Sequence, residues 1–198
     1  IDKIVKTGNP VRNDIIENIV SKEQSKVSFG LKENNVVVLV IGGSLGARTI
    51  NESISGLLSE LKQRGIQLLW QTGKVYFSKA EEQTAKNDNV SVNEFIYNMN
   101  EAYAAADVVI SRAGALSISE LCLVGKPTIL IPSPNVAEDH QTKNAKALVD
   151  ANAALLVKDV DAREELGRAL FDLLGDEEKQ KELGRNIFKL GIPDATDR

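Results

Sequence analysis

The chain has 198 residues, of which 42% are hydrophobic and 26% charged, and a formal net charge of −4. This length and apolar content suffice for one α/β domain with a buried core, and the negative charge argues against nucleic acid as a partner. A single cysteine, Cys122, excludes a disulfide framework and a cysteine-based zinc site, and no apolar run approaches the ~20 residues of a membrane span.

Two segments near the N-terminus have distinct compositions, and the first of them could bind a ligand. The chain opens on Ile1 without a methionine and closes on Arg198, so we expect a domain taken from a longer protein. We predict no signal peptide at the start of this sequence. Residues 7–12 are rich in Gly, Asn and Pro, which predicts a turn that could deliver Arg12 to a diphosphate. The alternative is that Arg12 is an ordinary surface arginine that follows a turn and binds no ligand. Residues 21–28 are polar and are predicted to form a loop.

Apolar, β-branched runs then alternate with helical patterns. Strands are predicted at residues 36–41, 66–70, 90–96, 108–110, 128–131 and 153–157. Helices are predicted at residues 47–64, 74–86, 99–105, 116–124, 140–150 and 162–174, with a last solvated helix over 176–189. This alternation predicts one α/β domain over residues 1–198, a Rossmann-like, doubly wound parallel sheet. The turns after Ile41, Ile96, Ile110 and Ile131 should line its ligand-binding edge.

The turn after the first strand, residues 42–48, is rich in glycine and opens a helix. Glycines let a ligand approach the backbone closely, and Ser44 adds a hydroxyl near a helix N-terminus. A tight turn without a ligand is the alternative. An NAD site would need an acidic residue closing the next strand, which instead ends in Trp70 and Gln71. No Gly-Lys-Ser/Thr follows the turn, so the Walker pattern is also absent.

Residues 107–120 carry the strongest ligand signal. An apolar strand runs into a turn of small residues and then into a helix whose first turns carry Ser117, Ser119 and Glu120. A helix start offers free backbone N–H groups and the positive end of the helix dipole, which suit a phosphate. A carboxylate one turn further on can accept hydrogen bonds from sugar hydroxyls. The stretch therefore predicts a nucleotide or nucleotide-sugar site.

Two other strand ends could contribute to the same edge. Phe95 and Ile96 end the third predicted strand and could offer main-chain N–H and C=O to a base, although core packing explains their side chains. After the fifth strand, His140, Gln141 and Asn144 should project near this edge, and Gln141 can both donate to and accept from sugar hydroxyls. For His140 a binding or capping role is favoured over acid–base chemistry.

An Asp-x-Asp sequence at residues 159–161 matches a pattern that holds divalent metals in some sugar-nucleotide enzymes. Asp161, however, precedes a helical pattern with Glu164 three places on, which is typical of an N-cap. We therefore predict a helix cap here and no metal site.

Residues 7–12, 42–48, 95–96, 111–120 and 139–144 occur in an order and spacing that resembles the C-terminal domain of the MurG family of bacterial glycosyltransferases. The resemblance implies the two-domain GT-B architecture, with the C-terminal domain binding UDP-N-acetylglucosamine (UDP-GlcNAc) and the N-terminal domain binding lipid I. It implies transfer of GlcNAc to lipid I with inversion, forming lipid II for peptidoglycan, without a metal or other cofactor. It also implies peripheral attachment to the cytoplasmic face of the inner membrane. The acceptor domain and its candidate general base would lie outside this chain, which alone would bind the donor without transferring it.

The resemblance also implies which residues hold the donor. Arg12 and Ser44 would contact the diphosphate, and Ile96 would bind uracil through its main chain. Glu120 would bind the ribose and Gln141 the GlcNAc, while His140 stands where some relatives have a second glutamine. The implied contacts are Arg12, Ser44, Ile96, Ala115, Leu116, Ser117, Ile118, Ser119, Glu120 and Gln141, flanked by Gly43, Phe95, Met99, Gly114, His140 and Asn144.

Two alternatives stay open at this point. One is another UDP-sugar enzyme of the same architecture, such as a UDP-GlcNAc 2-epimerase or a different transferase. The other is a nucleotide-binding regulatory or scaffold domain with no chemistry of its own. Competition between UDP-sugars for binding distinguishes another UDP-sugar enzyme from a MurG-type transferase. An assay of the complete protein with lipid I distinguishes a non-catalytic domain from an enzyme.

Overall fold

A computed structural model describes residues 20–43, 46–135 and 139–192. Its strands are β1 (Val37–Ile41), β2 (Gln67–Gln71), β3 (Val90–Asn93), β4 (Val108–Ser111), β5 (Thr128–Leu130) and β6 (Leu155–Leu156). These six parallel strands form one sheet in the order β3-β2-β1-β4-β5-β6. In register, Val37 of the first strand lies opposite Gln67 of the second, and Ile41 lies opposite Gln71. The strand order reverses between β1 and β4, which confirms the predicted Rossmann-like, doubly wound sheet.

Helices precede, connect and follow these strands and cover both faces of the sheet. A 3₁₀ turn, Asp159–Asp161, leads into the helix after β6. Within the described ranges, no helix has both the length and the apolar character that a membrane crossing requires. The helices are α1 (Lys22–Ser28), α2 (Arg48–Gln63), α3 (Lys74–Thr84), α4 (Met99–Ala105), α5 (Ala115–Val124), α6 (His140–Asp150), α7 (Ala162–Leu174) and α8 (Glu177–Phe188).

The core lies on both sides of the sheet because successive strand residues point to opposite faces. On one face, Val38, Val40 and Trp70 pack with apolar side chains of α2 and α7. On the other face, Leu39 and Leu69 pack with residues of α4, α5 and α6. Since both faces are covered, all five residues of β1 are buried, which is why the strand has a continuous apolar sequence instead of an alternating one.

The loop predicted for residues 21–28 and the end predicted for the third strand are wrong. Residues 21–28, predicted as a loop, form α1, whose N-cap Ser21 accepts a hydrogen bond from the Gln24 N–H at 3.1 Å. Buried Lys26 anchors this polar helix by donating to the carbonyls of Glu33 (2.9 Å) and Asn35 (2.7 Å). The third strand ends at Asn93 and not at residue 96, because its pairing partner β2 ends at Gln71.

Glu52 on α2 gives the fold a testable acid dependence. Hydrogen bonds from Arg163 and Arg48 lower the pKa of Glu52 from 4.5 to about 2. A depressed native pKa stabilises the fold above the unfolded value, and this stabilisation is lost as the pH falls from about 4.5 to about 2. We therefore expect the difference in urea midpoint between wild type and Glu52→Gln to shrink over this window. A constant difference between pH 5 and pH 2 would contradict the assignment.

Candidate functional site

Two adjoining cavities open at the carboxyl edge of the sheet, where the strand order reverses. The larger, with a volume of about 480 Å³, lies beside the glycine turn and is called the turn cavity; its lining includes Gly42, Arg112 and Gln141. The smaller, of about 320 Å³, is called the Glu120 cavity and is walled by Ile41, Gln71, Ile96, Met99, Tyr103 and Glu120. Gly43 and Ser117 line both, so the cavities form one continuous crevice. This is the position at which doubly wound sheets bind ligands.

The glycine turn is packed directly against the end of β2. Gly46 has φ +77°, and a Cβ there would lie 2.2 Å from the Thr72 carbonyl oxygen, so only glycine fits. Buried Asn51 donates to the same carbonyl at 2.8 Å and accepts from the Trp70 indole N–H at 3.0 Å. These contacts fix Gly46 against the end of β2. Ser44, like Arg12, lies outside the described residues.

Helix α5 begins between the two cavities. Gly114 is its N-cap, and no side chain of a described residue caps the helix, so its first N–H groups and the positive end of its dipole face the crevice. Within the predicted segment 115–119, Ser117 lines the crevice and Leu116 its smaller cavity, whereas Ile118 packs against the core. The Ser119 hydroxyl donates to the Ala115 carbonyl at 3.0 Å. This arrangement can bind an anion through the backbone and the Ser117 hydroxyl.

Glu120 is buried at the inner wall of the smaller cavity. Its side chain accepts a hydrogen bond from the Tyr103 hydroxyl of α4 at 2.9 Å. Tyr103 is itself buried, and the sequence did not point to it. Its partner could have been sought on the ground that a buried tyrosine hydroxyl needs a polar partner. The pair presents an oriented carboxylate in a cavity whose other walls are mainly apolar.

Ile96 is buried just beyond β3, and its backbone is held by Gln71. The Ile96 N–H donates to Gln71 Oε1 at 2.9 Å, and Gln71 Nε2 donates to the Gly43 carbonyl at 3.2 Å. Among the described residues, none donates to the Ile96 carbonyl. The sequence predicted that this strand end could offer both main-chain N–H and C=O to a base. In the structure the N–H is already bonded, because a glutamine closes β2 beside it.

The loops after β4 and β5 are joined by side chains of α6. Gln141 Oε1 accepts from the N–H groups of Ala113 (3.2 Å) and Ser133 (2.9 Å), and Asn144 donates to the Ala113 carbonyl at 3.1 Å. The Gln141 oxygen therefore braces two loops, which leaves its Nε2 as the group that can donate into the turn cavity. His140 is exposed at the start of α6 and lines neither cavity.

An Arg112–Asp159 ion pair forms the far wall of the turn cavity, and the sequence analysis missed it. Arg112 also donates to the Ile131 carbonyl at 3.0 Å, and Thr49 donates to Asp159 at 2.9 Å. Asp161 occupies the predicted N-cap position of α7, but its side chain makes no capping hydrogen bond. In the described ranges, no three His, Cys, Asp or Glu side chains come close enough together to hold a metal ion.

Comparisons with known proteins agree with this geometry. Residues 37–198 match the model of the glycosyltransferase family 28 C-terminal domain. A relative from Cytophaga hutchinsonii, named UDP-N-acetylglucosamine--N-acetylmuramyl-(pentapeptide) pyrophosphoryl-undecaprenol N-acetylglucosamine transferase, is 54% identical over 197 residues, covering 100% of this chain and 53% of the relative. The chain thus spans about half the length of the curated relatives it matches.

Solved structures show the same fold. The crystal structure of MurG from Acinetobacter baumannii has a TM-score of 0.74 and 26% identity, covering 100% of this chain and 56% of that chain. A UDP-N-acetylglucosamine 2-epimerase structure from Listeria monocytogenes has a TM-score of 0.69 at 13% identity, covering 96% of this chain and 49% of that chain. At that identity the second likeness concerns the fold alone.

Proposed function

The chain belongs to the family of glycosyltransferase family 28 C-terminal domains, and on that premise we propose that it is the donor-binding half of a MurG-type transferase that moves GlcNAc from UDP-GlcNAc to lipid I. The observation that carries the proposal is the crevice at the strand-order reversal. There the open start of α5 lies between a cavity with a buried carboxylate and a cavity with a glutamine amide. The four parts of UDP-GlcNAc, in the order base, ribose, diphosphate and sugar, can follow this arrangement from one cavity to the other.

The nucleoside fits the Glu120 cavity. Glu120 can accept hydrogen bonds from both ribose hydroxyls, and the Tyr103 hydroxyl holds it in place. Ile41, Ile96 and Met99 supply apolar walls for a flat ring. The Ile96 carbonyl, to which no described residue donates, can accept the N3–H of uracil. Phe95 is partly exposed at the mouth of the cavity, where its ring could cover the base.

The diphosphate and sugar fit the start of α5 and the turn cavity. Backbone N–H groups and the Ser117 hydroxyl would bind phosphate oxygens, joined in this proposal by Arg12 and Ser44. Gln141 Nε2 would donate to a hydroxyl of GlcNAc. The acceptor hydroxyl would attack the anomeric carbon, its proton would pass to a base in the acceptor-binding half, and the bond from that carbon to UDP would break. The helix dipole would stabilise the charge that grows on the departing diphosphate.

Titration calorimetry with UDP and UDP-GlcNAc tests the donor-binding part of this proposal. We expect saturable binding by this chain and no transfer of GlcNAc to lipid I without the other half. Circular dichroism serves as the control for folding. A folded chain that binds neither ligand would refute the proposal.

The complete protein separates the remaining alternatives. A MurG-type enzyme requires lipid I and releases UDP and a GlcNAc-bearing lipid, whereas a 2-epimerase acts on UDP-GlcNAc without any lipid. A protein that binds UDP-GlcNAc and catalyses neither reaction would be a scaffold. Because the relatives are named for an undecaprenol-linked substrate, we also propose that the complete protein associates peripherally with the cytoplasmic face of the membrane, which vesicle flotation would test.

Tyr103→Phe should weaken UDP binding about three- to tenfold, because the lost hydroxyl orients the ribose-binding carboxylate without touching the ligand, so binding loses only part of the about 1.5–3 kcal/mol of a hydrogen bond to a charged group. The ring stays in the core, so the overall fold should be kept. Calorimetry at constant pH measures the change. The control is Tyr76→Phe, which removes a hydroxyl that lies 2.9 Å from Ser55 Oγ, outside both cavities. Equal losses in the two variants would contradict the role of Tyr103.

A further inference from the structure

We propose that this chain carries its own contact surface for anionic phospholipid, formed by the second half of α8 and a groove beside it. The inference rests on the membrane association proposed above and assigns part of that association to the donor-binding half. The groove lies where β4 and β5 begin, whereas the crevice lies where the strands end. The two sites are therefore at opposite edges of the sheet.

The groove has a volume of about 570 Å³ and runs between α8 and the segments that lead into two strands. Asp107 and Lys126, just before β4 and β5, lie on one side of it, and Arg185 of α8 lies on the other. A Cβ at Gly184 would lie 2.7 Å from the Gly125 carbonyl oxygen, so α8 packs directly on the turn that precedes β5. This close packing fixes the two sides of the groove relative to each other.

Three lysines crowd around one carboxylate beside the groove. Lys22 forms an ion pair with Asp107, and the Lys26 ammonium lies 4.0 Å from the same carboxylate. Lys126 donates to the Ala106 carbonyl at 2.8 Å. Burial lowers the pKa of Lys126, and the nearby charge of Lys22 lowers it further. Because the three cations share the Asp107 carboxylate, an added anion would relieve their mutual repulsion.

The second half of α8 and the turn after it combine cations with exposed apolar side chains. Residues 183–192 include Arg185 and Lys189 and contain no acidic residue. Both cations are exposed, their spacing of four residues places them on one face of the helix, and no carboxylate of a described residue pairs with either. Phe188 is 62% exposed and Leu190 is 43% exposed. Cations next to exposed aromatic and aliphatic side chains are typical of segments that lie in a membrane interface.

An anionic lipid surface satisfies both parts of this arrangement. A free phosphate could pair with the cations but would leave Phe188 and Leu190 in water. A phospholipid surface places phosphate groups at the level of the cations and acyl chains just beneath them, where apolar side chains can insert. The chain as a whole has a net charge of −4, so the attraction must come from this local cluster.

Vesicle sedimentation with charge variants tests the electrostatic part. We expect this chain to bind vesicles that contain phosphatidylglycerol and not vesicles of pure phosphatidylcholine. Arg185→Gln/Lys189→Gln should weaken this binding about 25-fold, since each basic residue near an anionic surface contributes about fivefold. The matched control, Lys79→Gln/Lys86→Gln, removes the same charge on and just after α3, which packs against β3 at the far edge of the sheet, and should bind almost as the wild type does. The difference between the two variants should vanish at roughly 1 M salt, where the Debye length is about 3 Å.

Phe188→Ala tests the apolar part. Insertion would remove the exposed 62% of this residue from water, so the variant should bind anionic vesicles about five- to 20-fold more weakly. Val75→Ala on α3 is the control, because that side chain is 95% exposed and lies outside the proposed surface. The substituted side chains of all four variants line neither cavity of the crevice, so their affinity for UDP and their melting temperatures should stay close to those of the wild type.

Each other outcome identifies what has failed. Equal binding to pure phosphatidylcholine vesicles, or equal losses in the two charge variants, would overturn the inference. Saturable binding of glycerol phosphate without vesicle binding would show a small-anion site and overturn it as well. If the complete protein binds vesicles and this chain does not, membrane association stands and its assignment to this surface fails. If neither binds vesicles, the proposed membrane association fails too, while UDP binding by the same samples decides the donor-binding proposal separately.

Discussion

Replacing Glu120 with alanine should weaken UDP binding by roughly 5- to 150-fold, which corresponds to about 1–3 kcal/mol for a buried hydrogen-bonded contact. The carboxylate lies on the wall of the Glu120 cavity, is buried, and is oriented by Tyr103 at 2.9 Å. The ribose hydroxyls would lose these acceptors in the variant, because alanine has no polar side-chain atom to replace them. The effect should exceed that of Tyr103→Phe, because that variant keeps the acceptor and loses only its orientation.

A ligand series shows whether the loss arises at the ribose. Wild type and Glu120→Ala are titrated with UDP and with 2′,3′-dideoxy-UDP, which lacks both hydroxyls. The variant should lose affinity for UDP and bind the dideoxy ligand about as well as the wild type does. Glu120→Gln keeps one acceptor oxygen, so its affinity for UDP should lie between those of the wild type and Glu120→Ala. Equal losses for both ligands would mean that Glu120 supports the fold of the cavity and does not bind ribose.

The sequence revealed the parts of the crevice that are local in the chain. The glycine turn follows β1 directly, and residues 107–120 contain a strand, a turn and a helix start in one continuous stretch. Each has a pattern of residue types that follows from backbone geometry, such as a glycine where φ is positive. The parallel sheet was predictable for the same reason, since apolar runs and helical periodicity alternate.

The residues that the sequence did not reveal act through partners distant in the chain. Gln71 holds a backbone group 25 residues away, Tyr103 bonds a carboxylate 17 residues away, and Arg112 pairs with Asp159 across 47 residues. No local pattern identifies such a pair, because its geometry exists only after β2, β4 and the loops around them come together. The same limit explains α1, a short polar helix that depends on Lys26 bonding to the loop before β1.

Asn51→Leu should lower the free energy of unfolding by about 2–4 kcal/mol, because a buried polar group left without a partner costs about 1–3 kcal/mol and this change orphans two. Asn51 accepts from the Trp70 indole N–H at 3.0 Å and donates to the Thr72 carbonyl at 2.8 Å. Both Asn51 and Trp70 are buried in the core beneath the glycine turn. Urea denaturation followed by circular dichroism measures the change.

Two controls separate this polar bridge from ordinary helix packing. Ser53→Ala, two residues further along α2, removes a bond of 2.8 Å to the Thr49 carbonyl within the same helix and should cost less than about 1 kcal/mol. In the Asn51→Leu background, Trp70→Phe removes the orphaned indole N–H, so the two changes should cost less together than the sum of the single changes. Additive costs would show that the indole N–H does not depend on Asn51.

The Asn51 variant should also lose nucleotide affinity, although Asn51 lines neither cavity. The Thr72 carbonyl that it holds is the group against which Gly46 packs, with no space for even a Cβ between them. If that carbonyl shifts, the glycine turn must shift with it, and so must Gly43, which lines both cavities and accepts from Gln71. UDP binding measured well below the unfolding midpoint should therefore weaken in Asn51→Leu and remain normal in Ser53→Ala. Normal binding by Asn51→Leu would show that the turn is held in place without this bridge.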